Sequence, residues 1–266
     1  MTDALELGDH EGTVSIGGRT VTNLRFAYNS LAGEEELANL VECLDKASTA
    51  YGMEISAEKT KLMTNNTSGI NREIKVNGQK LETVTSFKSL GSVVSDEGSK
   101  PEILSGIVLT TAALTRLKSV WNNRSVSFSS KILLMCSLVT SIFLDACKSC
   151  ILSAELQRRI LAMEMRCYRK ILHISYKDHV ANEEVCAKIQ QAVGSHEDLL
   201  ITIKRRKLKW YGHISRSSGL AKTILQGTVK GGRRQGRQKK RWEDNTREWT
   251  GLEFAKSQRA VENREK

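Results

Sequence analysis

Fourteen basic residues and no acidic one lie between Lys204 and Arg241. Lys204, Arg205, Arg206, Lys207, Lys209 and Arg216 open the run, and Arg233, Arg234, Arg237, Lys239, Lys240 and Arg241 close it. Solvated surfaces ordinarily mix charge signs, so a one-signed run of this length points to a polyanion, and phosphate neutralisation is the chemistry it suits. Trp210, Tyr211, His213 and Trp242 are interleaved with these cations. Aromatic rings beside Arg stack on single-stranded bases, which makes Trp210 and His213 candidate contacts alongside the basic residues. At helical spacing such rings serve equally well as core, and a disordered basic tail is the plainer alternative for the whole run.

Other constellations are weaker. Cys147 and Cys150, followed by Cys167 and His173, have a spacing superficially like that of zinc ligands. No second Cys-x-x-Cys pair accompanies them, and Cys147 and Cys167 fall on apolar helical stretches. Buried, inert thiols are therefore expected. Gly231, Gly232 and Gly236 sit in a basic stretch without the Gly-Lys-Ser/Thr that a phosphate loop places before a helix. Asp3 and Asp9 lie in an unpatterned segment, whereas a metal site needs rigid, converging ligands.

The elements that carry these residues can be read from composition and periodicity. With 266 residues, 5% aromatic residues and a single Pro, the chain suits a helix-rich fold with ample material for a core. Its net charge of +11 is uneven: residues 1–65 hold 5 Lys/Arg against 11 Asp/Glu, and residues 201–266 hold 19 against 6. The first ten residues, with Asp3, Glu6 and Asp9, do not resemble a secretory signal, so an intracellular protein (nuclear or cytoplasmic, not secreted) with reduced cysteines is expected. The most apolar run, Ile132 to Ala146, is shorter than the roughly 20 residues a bilayer span needs. It reads as a core helix, and no membrane association is expected.

Along the chain, Val14 to Phe26 alternates around Gly17-Gly18 and reads as a hairpin. A helix is predicted from Glu34 to Tyr51, on the spacing of Leu37, Leu40, Val41 and Leu44. Short strands follow over 55–63, 73–77 and 80–94, with Asn77-Gly78 as a hairpin turn. Beyond Gly98 the pattern is helical, with Pro101 in a first turn and an apolar stripe at Leu156, Ile160, Met163, Cys167, Tyr168 and Ile171. Ser195 and Asp198 suggest a capping box for a basic helix from His196 to Trp210. The fold class is thus α+β, in three stretches: 1–98, 99–194 and 195–266.

Several blocks together resemble the non-LTR (LINE-type) retrotransposon endonuclease-reverse transcriptases. Asn23-Leu24-Arg25-Phe26-Ala27-Tyr28-Asn29 is similar to their active-site turn, Phe-Ala-Asp-Asp, with Tyr28 and Asn29 in the places of the paired aspartates. Tyr51-Gly52-Met53-Glu54-Ile55-Ser56-Ala57-Glu58-Lys59-Thr60-Lys61 resembles the Gly…Asn/Ser…Lys-Thr segment after that turn. Phe87-Lys88-Ser89-Leu90-Gly91 resembles Phe-Lys-Tyr-Leu-Gly, and Trp210-Tyr211-Gly212-His213-Ile214-Ser215-Arg216 resembles Trp-x-Gly-His-x-x-Arg. The stretch from Gly231 to Trp242 resembles Gly-Arg-Arg-Gly-Arg-Pro-x-x-Arg-Trp, with Gln238 in the Pro place.

The resemblance implies a C-terminal part of a reverse-transcriptase palm over 1–98, a helical thumb-like region over 99–194 and a basic nucleic-acid-binding tail over 195–266. The family's activity is RNA-directed DNA synthesis with Mg²⁺ held by carboxylates from two palm segments. Tyr28 and Asn29 carry no formal negative charge at neutral pH, and a hard divalent cation needs anionic oxygen. The family's upstream palm carboxylate, fingers and endonuclease have no counterpart in this sequence. Lys59 matches a lysine that lies near the incoming nucleotide's phosphates. The expectation is a catalytically inactive fragment with no cofactor of its own, whose partner is RNA or DNA held electrostatically with low sequence specificity. The alternatives are a retained nucleic-acid-binding module and a pseudogene fragment without a stable function.

Overall fold

The Asn77-Gly78 turn shows how local chemistry sets structure here. Both residues have positive φ, 49° and 74°, the backbone a tight hairpin requires and one that Asn and Gly adopt with least strain. The flanking strands β4 (Lys75–Val76) and β5 (Gln79–Lys80) pair antiparallel, Lys75 opposite Lys80 and Val76 opposite Gln79. The computed structural model describes residues 15–16, 19–20, 34–63, 73–89, 92–95, 97–147, 150–217, 221–222, 225 and 240–262. It is mostly helical with a few short strands, broadly α+β. The chain divides into two units, Met1–Phe87 with Arg216–Arg237, and Lys88–Ser215 with Gln238–Lys266.

In the first unit β1 (Ser15–Ile16) and β2 (Arg19–Thr20) pair antiparallel, Ser15 opposite Thr20 and Ile16 opposite Arg19; Gly17-Gly18, where the alternation predicts the turn, lie outside the described residues. Helix α1 (Glu34–Ala50) follows the predicted bounds. Its Leu37, Ala38 and Val41 pack on Leu62, Ile74, Val76 and Leu81, the small core of this unit. Strand β3 (Lys61–Leu62) pairs parallel with β6 (Glu82–Thr83), and Lys61 and Glu82 form an ion pair of 2.6 Å across the ladder.

These strands are shorter than periodicity predicts. Over 55–63 the cause is local: Thr60 N and Oγ1 both donate to Ser56 O, at 3.0 and 2.8 Å. That turn diverts the backbone groups a ladder would use, as Ser and Thr commonly do.

Strand β7 (Ser86–Ser89) pairs with β8 (Ser92–Ser95), and the second unit opens within β7, at Lys88. Helix α2 (Lys100–Arg116) has Pro101 in its first turn, where no intrahelical donor is lost. Ser99 Oγ, at the cap, accepts from Ile151 N at 2.7 Å and so fixes a distant loop rather than the helix end. After the short α3 (Lys118–Asn122), one apolar helix runs as α4 (Phe128–Leu134), a π-helical turn (Met135–Val139) and α5 (Thr140–Ala146). Length and composition alone would let Phe128–Asp145 cross a bilayer, at mean hydropathy 1.5. Its start at Phe128 makes the apolar helix longer than the Ile132–Ala146 run suggests. Its face of Ile132, Met135, Val139 and Phe143, each 0% exposed, is committed to the protein core.

Helix α6 (Ala154–Ile171) is the central element. Ser153 caps it, accepting from Leu156 N at 3.3 Å. All six residues of the predicted stripe are buried: Leu156, Ile160, Met163, Cys167, Tyr168 and Ile171. One end of that stripe joins Ile103, Phe143, Leu199 and Ile203 in a first cluster. The other joins Leu114, Trp121, Ile132, Met135 and Val139 in a second. Helices α7 (Asn182–Val193), α8 (Leu199–Arg216), α9 (Trp242–Thr250) and α10 (Phe254–Glu262) complete the unit.

Gly106 on α2 lies against Phe143 of α5. A Cβ there would stand 3.0 Å from Phe143 Cδ2. Gly106→Val is therefore expected to lower unfolding free energy by about 1–3 kcal/mol through overpacking, despite better helix propensity. Urea denaturation checks this; an unchanged midpoint would show that Phe143 yields without cost.

Candidate nucleic-acid interface

The basic run enters the fold as α8, and this helix starts later than the capping-box reading predicts. It begins at Leu199, not His196, because Asp198 O accepts Thr202 N at 3.0 Å and the first amide is taken by a carboxylate from another helix. Glu164 Oε1 on α6 accepts Leu199 N at 2.9 Å and Tyr168 Oη at 2.7 Å. Tyr168 Oη lies 2.5 Å from His196 Nε2. Glu164 is 2% exposed, and its Oε2 has no partner among the described residues.

Burial pushes the Glu164 carboxyl up, opposed by its hydrogen bonds from Tyr168 and Leu199 and helped by nearby Asp198. A raised carboxyl binds its proton more tightly folded than unfolded. Its stabilising contribution is therefore full below the ordinary value of 4.5 and declines as pH rises through the raised one. Glu164→Gln keeps an acceptor for Leu199 N and removes the charge. The melting temperature of the natural chain should fall relative to this variant from the ordinary carboxylate range towards neutrality. Parallel melting profiles would contradict this.

The faces of α8 divide sharply. Leu199, Ile203, Lys207, Tyr211 and Ile214 are buried, at spacings of four, four, four and three. Arg205, Arg206, Lys209, His213 and Arg216 are exposed. On a 3.6-residue helix these five fall within roughly 100° of one another and run for about 16 Å, close to five single-strand phosphate intervals of about 3.4 Å. The stripe contains no carboxylate. Arg205 pairs with Glu197 from the preceding turn, so a phosphate would compete with that partner.

Lys207 does not lie on this stripe. It is 0% exposed, and its ammonium donates to Cys150 O and to Asn245 Oδ1. It also sits 4.9 Å above the Trp242 ring and 5.2 Å above Trp249. A cation enclosed in this way cannot reach a phosphate. Burial pulls its pKa down from 10.5 to about 8.

Lys204 is half-buried, with its ammonium 5.6 Å from the Trp249 ring. Lys240 is held by Glu248. Arg241 is exposed at the start of α9, where its amide donates to Asp244 Oδ2 at 2.7 Å.

The aromatic residues are also engaged internally. Trp210 is half-buried and meets Trp242 edge-to-face at 5.3 Å; Tyr211 is buried, stacks on Trp242 at 5.8 Å and bonds Ser257 Oγ at 2.8 Å. Their packing is that of a core, which leaves His213 as the ring on the exposed stripe.

Asn245, buried on α9, completes the arrangement. Its amide accepts from Leu152 N and donates to Leu152 O, each at 2.8 Å, pinning the loop that follows α5. No motif in the sequence marks this clamp. Lys207 was more accessible to inference: the spacing of Leu199, Ile203, Tyr211 and Ile214 assigns position 207 to the apolar face.

Cys147, Cys150 and Cys167 are buried, and none of the six cysteines forms a disulfide. Burial raises all three thiols, Cys150 to about 11 and Cys167 to about 12, so they are unreactive at neutral pH. His173 is exposed, with Nε2 3.3 Å from Trp121 O. Among the described residues no three His, Cys, Asp or Glu side chains are grouped to hold a metal ion. Lys59 is exposed in the first unit. Tyr28, Asn29, Arg233, Arg234, Arg237 and Lys239, like Asp3 and Asp9, lie outside the described residues. No family model matches the chain, and no curated protein or solved structure is significantly similar to it.

Proposed function

We propose that this chain binds RNA or DNA without catalysis, through the exposed cationic stripe of α8 and the basic segment that follows it. The observation that carries the reading is the separation of faces on α8: Arg205, Arg206, Lys209, His213 and Arg216 are exposed while Lys207 is enclosed. A helix whose outer face carries four guanidinium or ammonium groups and no carboxylate suits a polyanion, and nothing in it reads a base sequence.

The origin we propose is a non-LTR retrotransposon reverse transcriptase, on the ordered motif resemblances from Phe26 to Trp242. In that reading residues 1–98 descend from the C-terminal part of a palm, 99–194 from a thumb and 195–266 from the basic segment beyond it. Tyr28 and Asn29 in the places of two metal-holding aspartates support loss of nucleotidyl transfer, since neither offers an anionic oxygen at neutral pH. Mg²⁺ is accordingly not part of the binding mode. Lys59 then acts as a surface cation only.

The test is a titration of fluorescein-labelled single-stranded RNA and DNA with the full chain at several salt concentrations, with Mg²⁺ or with EDTA. The four cations of the α8 stripe alone predict a log–log salt slope near −3, since each phosphate contact contributes about −0.7, and contacts from the following basic segment steepen it. The affinity should be similar for unrelated sequences and indifferent to Mg²⁺. Absence of binding, or a flat salt dependence, would refute the reading.

A further inference from the structure

The outward face of α6 meets α2 in an open groove of about 780 Å³ that the nucleic-acid reading does not use. Its floor is apolar, from Leu114 and Leu161 to Met165 and Ile174, and no carboxylate lines it. Arg158, Arg166 and Lys170 stand on the exposed side of α6 around that floor. Arg169 closes one end as a fixed wall, its guanidinium donating to Val180 O at 2.7 Å and Asn182 Oδ1 at 2.9 Å. Leu161 remains 37% exposed, with buried Glu164 on one side of it along α6 and exposed Arg158 on the other.

We propose that this groove docks an acidic amphipathic helix of a protein partner. The two halves of the lining demand two properties of one ligand. The three outward cations ask for carboxylates, and the floor beneath them asks for apolar side chains at helical spacing, the i, i+3/i+4, i+7 anchors of helix-in-groove recognition. Met165, unbranched and polarizable, adapts to such anchors. A phosphodiester backbone would match the cations but gain nothing from Leu161 and Met165, whereas the α8 stripe offers cations without an apolar floor. The groove and the stripe therefore select different partners, and this inference stands independently of the nucleic-acid reading.

The experiment uses the full chain and a fluorescein-labelled designed helix with Leu at i, i+3/i+4 and i+7 and Glu on the flanking positions. Saturable binding is expected, with a scrambled peptide of identical composition at least about tenfold weaker, because only the first aligns apolar and acidic faces. Leu161→Asp and Arg166→Glu should each weaken binding about tenfold, as loss of a central contact does. Both residues are partly or fully exposed, so the melting temperature should stay unchanged; circular dichroism checks this for each variant separately. Equal binding of the scrambled peptide, or full binding by both variants, would overturn the proposal. So would displacement of the peptide by single-stranded RNA together with weaker RNA binding by Leu161→Asp, which would assign the groove to nucleic acid.

Discussion

Arg206→Glu with Lys209→Glu is expected to weaken single-stranded RNA binding about 100-fold at low salt and to flatten the salt slope by about 1.4, at 0.7 for each lost phosphate contact. Both residues are exposed on α8, so reversal changes the field without touching the core. The neutral pair Arg206→Gln with Lys209→Gln should fall between the natural chain and the reversed one. That grading separates loss of attraction from added repulsion. Deleting the helix instead would remove Ile203, Tyr211 and Ile214 from the core, and a loss of binding would then report unfolding. Anisotropy titrations at matched salt, with thermal melts on each variant, decide the matter. Unchanged affinity in the reversed variant would move the interface off α8.

The second large effect concerns Lys207. Lys207→Ala should lower unfolding free energy by about 2–4 kcal/mol, since it opens a cavity beneath two tryptophans and removes the Lys207 hydrogen bond to the buried Cys150 carbonyl. Lys207→Met keeps most of the volume and removes a buried charge, so its cost should stay within about 1 kcal/mol.

The same residue gives stability a definite pH dependence. With a folded pKa of about 8 and an ordinary value of 10.5, the unfolded chain binds the extra proton between these limits. Stability relative to Lys207→Met should therefore rise with pH across that window, be complete above 10.5 and be lost as pH falls through 8. Urea midpoints of the two proteins at several pH values check this. A constant difference between them would contradict the enclosed ammonium.

What could be read from the sequence was whatever rests on periodicity and turn chemistry. The stripe from Leu156 to Ile171 was fully legible because an amphipathic helix repeats its apolar residues at a spacing no other element shares. Asn77-Gly78 was legible because few residue pairs accept positive φ in succession. The strand over 55–63 was over-extended, since Ser56 and Thr60 offered the backbone a competing turn. The π-helical turn at Met135–Val139 leaves no signature in composition.

At the candidate site, the cationic character of α8 was legible from charge alone, but which of its cations are exposed was not. Lys207 counts as one cation among many in the sequence, and only its position on the Leu199–Ile214 stripe tells it apart. Glu164 is a carboxylate within an apolar stripe for a related reason: it caps the start of α8 through Leu199 N, a tertiary partner that no local motif encodes. Trp210 and Tyr211 looked like stacking platforms, yet Trp242 draws both into intramolecular ring contacts. In each case a long-range partner decides the role of a residue whose type suggested another.

The most direct measurement puts binding and catalysis on one sample. The purified chain is titrated into a fluorescein-labelled DNA primer annealed to an RNA template with a single-stranded overhang, in Mg²⁺ and all four deoxynucleotides. Anisotropy is read first and primer length afterwards. The account predicts saturable, salt-sensitive binding, an unextended primer, and the same affinity when EDTA replaces Mg²⁺. Extension of the primer, or the absence of binding to this substrate, would contradict it.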